Sequence, residues 1–309
     1  MIVDLPTSKD FENIAREWFL HAFDILYDYG IEERDISHLG LSQYKFNKTK
    51  LSSIIVLVHQ SFEATLKATV CNLTPLLLLD LKPSDWPTLP GVKDKSFDGL
   101  MTIGAEALIK VFCAVNTDVE ATKNLVPLFQ EVRTIRNQIV HSLYKEELNT
   151  FYLLDLLFRV SEQLFHTDLF ALLRTRDGDF PNEEFFANNP HLEDDSQGTN
   201  LEIRYRLQSW AEEVLGNKKL QSYLKNKGRA YNCCFCWSTI DRYETKTAYL
   251  RPNSSVSKTI YCSNCLDCYP VMRASCLDKN CKGNVLYEEG KGKLVCLTCG
   301  TEGSAPDSL

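Results

Sequence analysis

Ten cysteines crowd between residues 233 and 299, and their spacing limits what that stretch can fold into. The segment "CLDKNCKGNVLYEEGKGKLVCLTCG" holds Cys276 and Cys281 with four residues between them, then Cys296 and Cys299 two apart, followed by Gly300. Upstream, "CCFC" supplies Cys233 and Cys236, and "CSNC" supplies Cys262 and Cys265. Paired thiolates joined by a hairpin suit tetrahedral Zn2+, and Gly-containing turns let backbone amides approach the sulfurs. A disulfide framework is the alternative, but "MIVDLPTSKDFE" does not read as a secretory signal, so the CxxC pairs favour metal. Two structural zinc sites are expected, because four sulfurs per ion leave no open position for water or substrate. The extra cysteines Cys234 and Cys268 are not excluded as ligands by register. A module this small buries little core and would fold on metal binding of about 10–16 kcal/mol.

Charge changes sign near the same place. Residues 218–300 carry fourteen Lys or Arg against six Asp or Glu, whereas residues 1–217 carry twenty against thirty-three. A length of 309 residues suits about two domains. The organisation read from the sequence is mainly α: a helical bundle over residues 1–175, an acidic loop or linker over 176–200, a helical connector over 201–228, and a β-rich zinc-ribbon module over 229–309. No apolar run approaches the ~20 residues that span a bilayer, so no membrane partner and a cytoplasmic location are expected.

Helical periodicity fills the first part. "TSKDFENIAREWFLHAFDILYDYG" opens on Thr7 or Ser8 as N-cap and is expected to close on Gly30. "NKTKLSSIIVLVHQSFEATLKATVCNL" reads as a more buried helix ending before Pro75, followed by a loop with three prolines in "LKPSDWPTLPGVKDKSFDG". A short helix is expected in "LMTIGAEALIKVFCAV", and a longer one from about Thr117 to Leu148, with Pro127 at a bend or restart. "TFYLLDLLFRVSEQLFHTDLFALLR" completes the set, and an all-α bundle is the natural packing solution. The acidic stretch "TRDGDFPNEEFFANNPHLEDDSQGTN" reads as a solvated linker, or as a segment that binds a partner or masks the protein itself.

"RTIRNQIVHS" poses a geometric question. At ~100° per residue, Val132, Ile135, Ile139 and Leu143 form an apolar stripe, while Arg133, Asn137, His141 and Tyr144 form a polar one. Arg136 falls ~55° from the centre of the apolar stripe, at its edge. Its guanidinium could snorkel around the core, pair with an acid such as Glu63, or reach a partner. His59 reads as a packed core histidine, and Tyr144 as a helix-surface aromatic.

"RNQIVH", from Arg136 and Asn137 to His141, resembles the R-polar-x-x-x-H signature of the HEPN superfamily. "SFEATLKATV", with Glu63 and Lys67, resembles that superfamily's E-x-x-x-K helix, and "TIGAEALIKVF" the helix that precedes its motif helix. The likeness covers about residues 8 to 175. It implies a HEPN-like bundle that forms a homodimer, with Arg136, Asn137 and His141 of both copies in one composite catalytic site for RNA. Arg133 and Tyr144 would be substrate contacts. Imidazole moves protons near neutrality, and a guanidinium fork suits a phosphate whose charge builds in the transition state. Such chemistry needs no catalytic metal, and the resemblance implies attack by the ribose 2′-hydroxyl to leave a cyclic phosphate. Arg136 and His141 lie ~140° apart around a straight helix, which is why a facing copy would be needed. Tyr144 stands three residues after the histidine, whereas toxins of this superfamily that pair with nucleotidyltransferase antitoxins often carry a tyrosine two after it.

Two readings follow. One is a dimeric endoribonuclease, a toxin or anti-phage defence effector held in check by a regulatory protein or antitoxin. The other is a non-catalytic scaffold of the same fold whose zinc ribbons bind protein or nucleic acid. In the ribbon module, Phe235, Trp237, Tyr249, Tyr261 and Tyr287 are either stacking groups on a basic surface or the module's own core. "EEGKGK" lacks phosphate-loop spacing and reads as a hairpin turn.

Overall fold

The computed structural model describes residues 1–38, 48–82, 84, 86, 94–141, 148–174, 196–239, 246–290 and 292–304. The chain forms two compact units, Met1–Leu173 and Arg174–Leu309. The first is helical; the second combines helices with two small antiparallel sheets and two four-cysteine groups.

In the first unit, α1 (Ser8–His38) and α2 (Lys48–Leu73) lie against each other along most of their length. Their seam is built from Ala15, Phe19, Ala22, Phe23 and Leu26 on α1, facing Ile54, Ile55, Val58, Phe62 and Leu66 on α2. These positions recur every three or four residues, as one face of a helix requires. The buried Ser61 hydroxyl donates to the Ala15 carbonyl at 2.8 Å, so the seam leaves that polar group satisfied. Thr49–Leu73 is long and apolar enough to cross a membrane by length and composition, yet 61% of that window is buried inside the bundle. Around α2 pack α3 (Ala105–Val115), α4 (Val119–His141) and α5 (Thr150–Phe165), with α6 (Leu169–Leu173) beside α5. Phe62 meets Phe129 of α4 edge-on, with ring centroids 5.8 Å apart.

Four boundaries differ from the sequence reading, the first being the linker read over 176–200, whose last five residues already belong to a helix that starts at Ser196. α1 runs through Gly30 to His38. The cost of glycine inside a helix, about 1 kcal/mol, is outweighed where the next turn gains partners: Glu32 takes Lys50 at 3.2 Å and Glu33 accepts the Thr150 hydroxyl at 2.6 Å. α4 continues through Pro127, whose position is exposed, so the carbonyl it leaves unpaired faces water. The helix read as continuous from residue 150 to 174 breaks at His166, which adopts a left-handed conformation, and restarts where Asp168 accepts the Ala171 amide at 2.8 Å. The expected extension of α4 beyond residue 141 and the acidic stretch up to residue 195 lie outside the described residues.

α4 and α5 are clamped by Glu131. Its two oxygens each accept a guanidinium N–H of Arg159 at 2.9 Å, and Oε1 also accepts the Tyr152 hydroxyl at 2.9 Å. The Arg159 hydrogen bonds, opposed by partial burial and reinforced by Tyr152, hold the Glu131 carboxyl below its usual range. Arg159 also lies 3.3 Å from Asp155.

The second unit opens with α7 (Ser196–Leu215) and α8 (Asn217–Tyr223), separated at Gly216. β3 (Ala230–Tyr231), β4 (Ala248–Leu250), β5 (Thr259–Cys262) and β6 (Cys268–Pro270) form an antiparallel sheet in that order; α9 (Cys234–Thr239) follows β3 in the chain. β7 (Leu286–Gly290), β8 (Lys293–Cys296) and β9 (Glu302–Ser304) form the other sheet. Leu201 and Tyr205 of α7 share a core with Ile260, Leu250, Val285 and Leu297. The first unit also holds a two-residue parallel pairing, β1 (Ile2–Val3) with β2 (Lys95–Ser96).

Glu131→Gln should cost about 1 kcal/mol of stability, a charged hydrogen-bond loss discounted for partial solvent screening. A carboxyl depressed on folding contributes stability above its unfolded pKa and loses it as pH falls through the folded value. Urea titrations should therefore show the variant and the native protein converging at low pH.

Candidate active site and metal centres

The C-terminal half of α4 carries the motif. Val132 and Ile135 are buried, Ile139 is half-buried, and Val140 is 51% exposed, so the helix leaves the core as it approaches its end. Arg136 is half-buried and donates Nη1–H to the Asn137 side-chain carbonyl at 2.9 Å. No carboxylate pairs with Arg136 among the described residues, and Glu63 is not its partner. Arg133 is half-buried, 3.8 Å from Glu106 of α3.

Behind these arginines sits His59 of α2, 3% exposed and stacked on Phe129 at 5.5 Å. Burial, then the charges of Arg136 and Arg133, push its imidazole down to about 4. It is therefore neutral at physiological pH, and the 3.8 Å approach of its Nδ1 to Glu63 is not an ion pair. Its Nε2 is buried without a partner. His141, the last residue of α4, is exposed and makes no hydrogen bond or ion pair among the described residues.

The cysteines assemble into two cages. Cys233, Cys236, Cys262 and Cys265 form one, Cys276, Cys281, Cys296 and Cys299 the other, and within each all four sulfurs lie within 4.8 Å of one another. The Cys233–Cys265, Cys236–Cys262 and Cys276–Cys299 separations are 3.6, 3.8 and 3.6 Å. A Zn–S bond of ~2.3 Å gives a tetrahedron edge of ~3.8 Å, and a disulfide would need ~2.05 Å, so the cages fit a metal ion. Backbone amides point at the sulfurs: Cys236 toward Cys233 at 3.5 Å, Asn264 and Cys265 toward Cys262 at 3.3 and 3.5 Å, Asp278 toward Cys276 at 3.4 Å, Gly283 toward Cys281 at 3.3 Å. The Asn264 side-chain amide donates both to the Cys236 sulfur at 3.4 Å and to the Leu201 carbonyl at 3.2 Å, which ties α7 to the first cage. Gly300, at φ +78°, turns the chain after Cys299 where a side chain would run into the Trp237 ring.

Within the first cage the protons are shared unevenly. Hydrogen bonds to Cys234, Cys236, Cys262 and Cys265 push the Cys233 thiol up, and the bond to Cys233, with those to Cys236 and Cys262, draws Cys265 down. In the second, burial and neighbouring thiols raise Cys276 to about 12. At Cys299 burial is outweighed by the Thr301 hydroxyl and amide and by Cys281 and Cys276, giving about 6. Four thiolates at such separations repel one another, and a divalent cation removes that repulsion.

No family model, curated protein or solved structure matches this chain.

All eight cysteines singled out from spacing fall in the cages, and Cys234 and Cys268 stand outside both. Arg136 and Asn137 are brought together, but Asn137 engages Arg136 and not His141, one turn away. Tyr144 lies outside the described residues. The residues that sequence reasoning missed are the groups supporting the sulfurs: Asn264, Thr247 beside Cys262 at 3.3 Å, Tyr269 beside Cys265 at 3.4 Å, and Thr301 beside Cys299 at 3.2 Å. Asn264 stands inside "CSNC", where a polar residue between ligands was the available signal. Thr247 had none.

Cys262→Ser should lower bound zinc from two ions per chain to one or fewer and unfold the second unit. The helical signal of the first unit should persist; metal analysis with circular dichroism reads both. For His59, the folded state binds fewer protons than the unfolded one between pH 6.5 and about 4, so stability falls as pH drops through that window. His59→Leu should flatten that slope in pH-dependent urea unfolding, by up to about 3 kcal/mol at its acid end.

Proposed function

We propose that the protein is a metal-independent endoribonuclease acting as a homodimer, with Arg136, Asn137 and His141 of two α4 helices sharing one composite site. The reading starts from the likeness of "RNQIVH" to the HEPN signature. One observation carries it further: Arg136 sits at a half-buried helix edge with no carboxylate among the described residues to neutralise it. A guanidinium in that position is costly unless an anion from outside occupies its free donors. A phosphodiester is such an anion, and the fork geometry binds it at two oxygens.

His141 is exposed at the end of the same helix and turned ~140° away from Arg136 by helical geometry, so the arrangement calls for a second copy. Val140 and Ile139 provide apolar surface for such a contact. In the composite site, an imidazole takes the proton of the ribose 2′-hydroxyl or gives one to the leaving 5′-oxygen. The guanidiniums stabilise the pentacoordinate phosphate, and the product carries a 2′,3′-cyclic phosphate. Arg133 and Tyr144 serve as contacts to the RNA. The zinc ions hold the second unit's shape and take no part in the cleavage. An intracellular RNase of this kind suits a toxin or antiviral defence role, restrained by a regulatory partner.

The test is cleavage of total RNA by the purified protein, with mapping of end groups. His141→Ala and Arg136→Ala should each reduce cleavage by about 100-fold or more while leaving zinc content and the circular dichroism spectrum unchanged. Cleavage that survives His141→Ala, or that is equally fast in a monomeric form, overturns the proposal. Absence of cleavage by the native protein, with partner capture intact in both variants, selects the scaffold instead.

A further inference from the structure

One end of the four-stranded sheet collects cations, with no acid beside them among the described residues. The strands run antiparallel in the order β3, β4, β5, so the start of β3, the end of β4 and the start of β5 meet at one end. Arg229 immediately precedes β3, Arg251 immediately follows β4, and Lys258 immediately precedes β5; all three are exposed. The Arg251 amide donates to the Thr259 carbonyl at 3.0 Å, which fixes the register at this end. With strands about 4.8 Å apart, the three cations span ~10 Å.

The loop after α8 joins them. The Asn226 side-chain carbonyl accepts from Arg251 at 3.5 Å, and its amide donates to Gln221 at 3.0 Å. Gly228, at φ +90°, packs against the Asn253 side chain, and a larger residue there would be strained and would displace Asn253. This loop and the β4–β5 hairpin are thereby held together, and exposed Lys227 lies in it. Residues 217–240 and 245–266 contain eight Lys or Arg and no Asp or Glu. Arg229, Arg251, Lys227 and Lys258 form no ion pair among the described residues.

An aromatic platform completes the set. The Arg251 guanidinium carbon lies 3.6 Å from the centre of the half-buried Tyr261 ring, and Arg229 is 5.9 Å above Tyr231. Stacking holds a guanidinium flat and fixes the directions of its N–H donors, which reduces the ordering needed to bind a phosphate.

We propose that this end of the sheet binds single-stranded RNA, with Arg229, Arg251 and Lys258 on successive phosphates and the Arg251–Tyr261 stack as a platform for a base. The proposal rests on the reading that the chain acts on RNA and assigns where in the second unit RNA is held. Single-stranded nucleic acid fits because the surface offers cations and π-faces together. A protein partner fits less well: Val256 is the one large apolar side chain exposed here among the described residues, and protein interfaces centre on a buried apolar cluster.

The test is fluorescence anisotropy with a labelled 12-nucleotide oligouridylate and the full-length, zinc-loaded protein, over a range of salt concentrations. The double variant Arg229→Ala/Arg251→Ala should weaken binding by at least about tenfold and lower the salt slope by about 1.4, two phosphate contacts on a single strand. Arg251→Lys keeps the charge and loses the stack, so it should fall between the two. Lys258→Ala gives an independent reading should the double variant lose zinc. Unchanged affinity in the double variant or, where that loses zinc, in Lys258→Ala overturns the proposal, as does binding to polyglutamate with no binding to RNA. Cleavage of total RNA by the native protein and by His141→Ala reads the catalytic proposal, whereas affinity of the Arg229, Arg251 and Lys258 variants reads this one, so the two fail separately.

Discussion

Eight sulfurs in two groups of four, each group confined within 4.8 Å, is the constraint on which the second unit depends. Thiolates at that range cannot coexist without a cation, and the chain provides few other reasons to hold its hairpins there. Strands of three to five residues bury too little to stand alone. The cages also join distant pieces: through Asn264 the first reaches α7, and through Trp237 against Gly300 it leans on the turn of the second. Val285 and Leu297 lie in the core that surrounds the first cage, so the two knuckles share packing as well as chemistry. Metal binding at one cage is thus coupled to the geometry of the other.

Among its described residues the first unit has no such staple, and it relies on helix packing around α2. Its departure from simple packing is at the end of α4, where apolar burial fades from Val132 to Val140 while two arginines stay half-buried. Burial, aided by the same positive charge, holds His59 neutral. A buried neutral imidazole with an unpartnered Nε2 lies beside two guanidiniums, of which Arg133 has Glu106 at 3.8 Å and Arg136 has no carboxylate among the described residues. An anion there supplies the missing charge partner. This is the physical content behind the proposed RNA site, independent of the motif that drew attention to the helix.

The cage ligands were legible because metal coordination demands local pairs, and CxxC spacing records that demand in the sequence. Helix content was legible from apolar periodicity, since Phe19, Phe23 and Leu26 repeat as a buried face must. Helix ends were less so. Gly30 looked like a stop because local preference says so, yet Glu32 and Glu33 find partners far away in the chain, on Lys50 and Thr150. The partner of Arg136 was also hidden, because Glu63 lies on another helix, Asn137 is the next residue along its own, and only the packed side chains choose. Tyr249 and Tyr261 are cross-strand neighbours on one face, yet one is 2% exposed in the core and the other lies under Arg251. Period-two alternation reports the face of a strand and not the depth of what covers it.

Charge distribution gives the two units different tasks under the proposed activity. The first unit, residues 1–173, carries sixteen bases against twenty-three acids, so its net charge repels a polyanion and the α4 edge is a local exception. Such a patch orients a phosphate once it arrives but attracts it poorly from a distance, since fields fade over a Debye length of about 8 Å at physiological salt. Residues 218–300 have the opposite sign, fourteen bases against six acids. Each filled four-thiolate cage subtracts about two charges, leaving roughly +4 over that stretch, and Arg229, Arg251 and Lys258 are its bases gathered at the sheet end. Under the proposed activity, the basic stretch of the otherwise charge-balanced second unit would draw RNA in, with its cations held apart by the strands that carry them. Attraction and chemistry are then separable by ionic strength: raising salt weakens capture by the second unit long before it disturbs a phosphate already seated between guanidiniums.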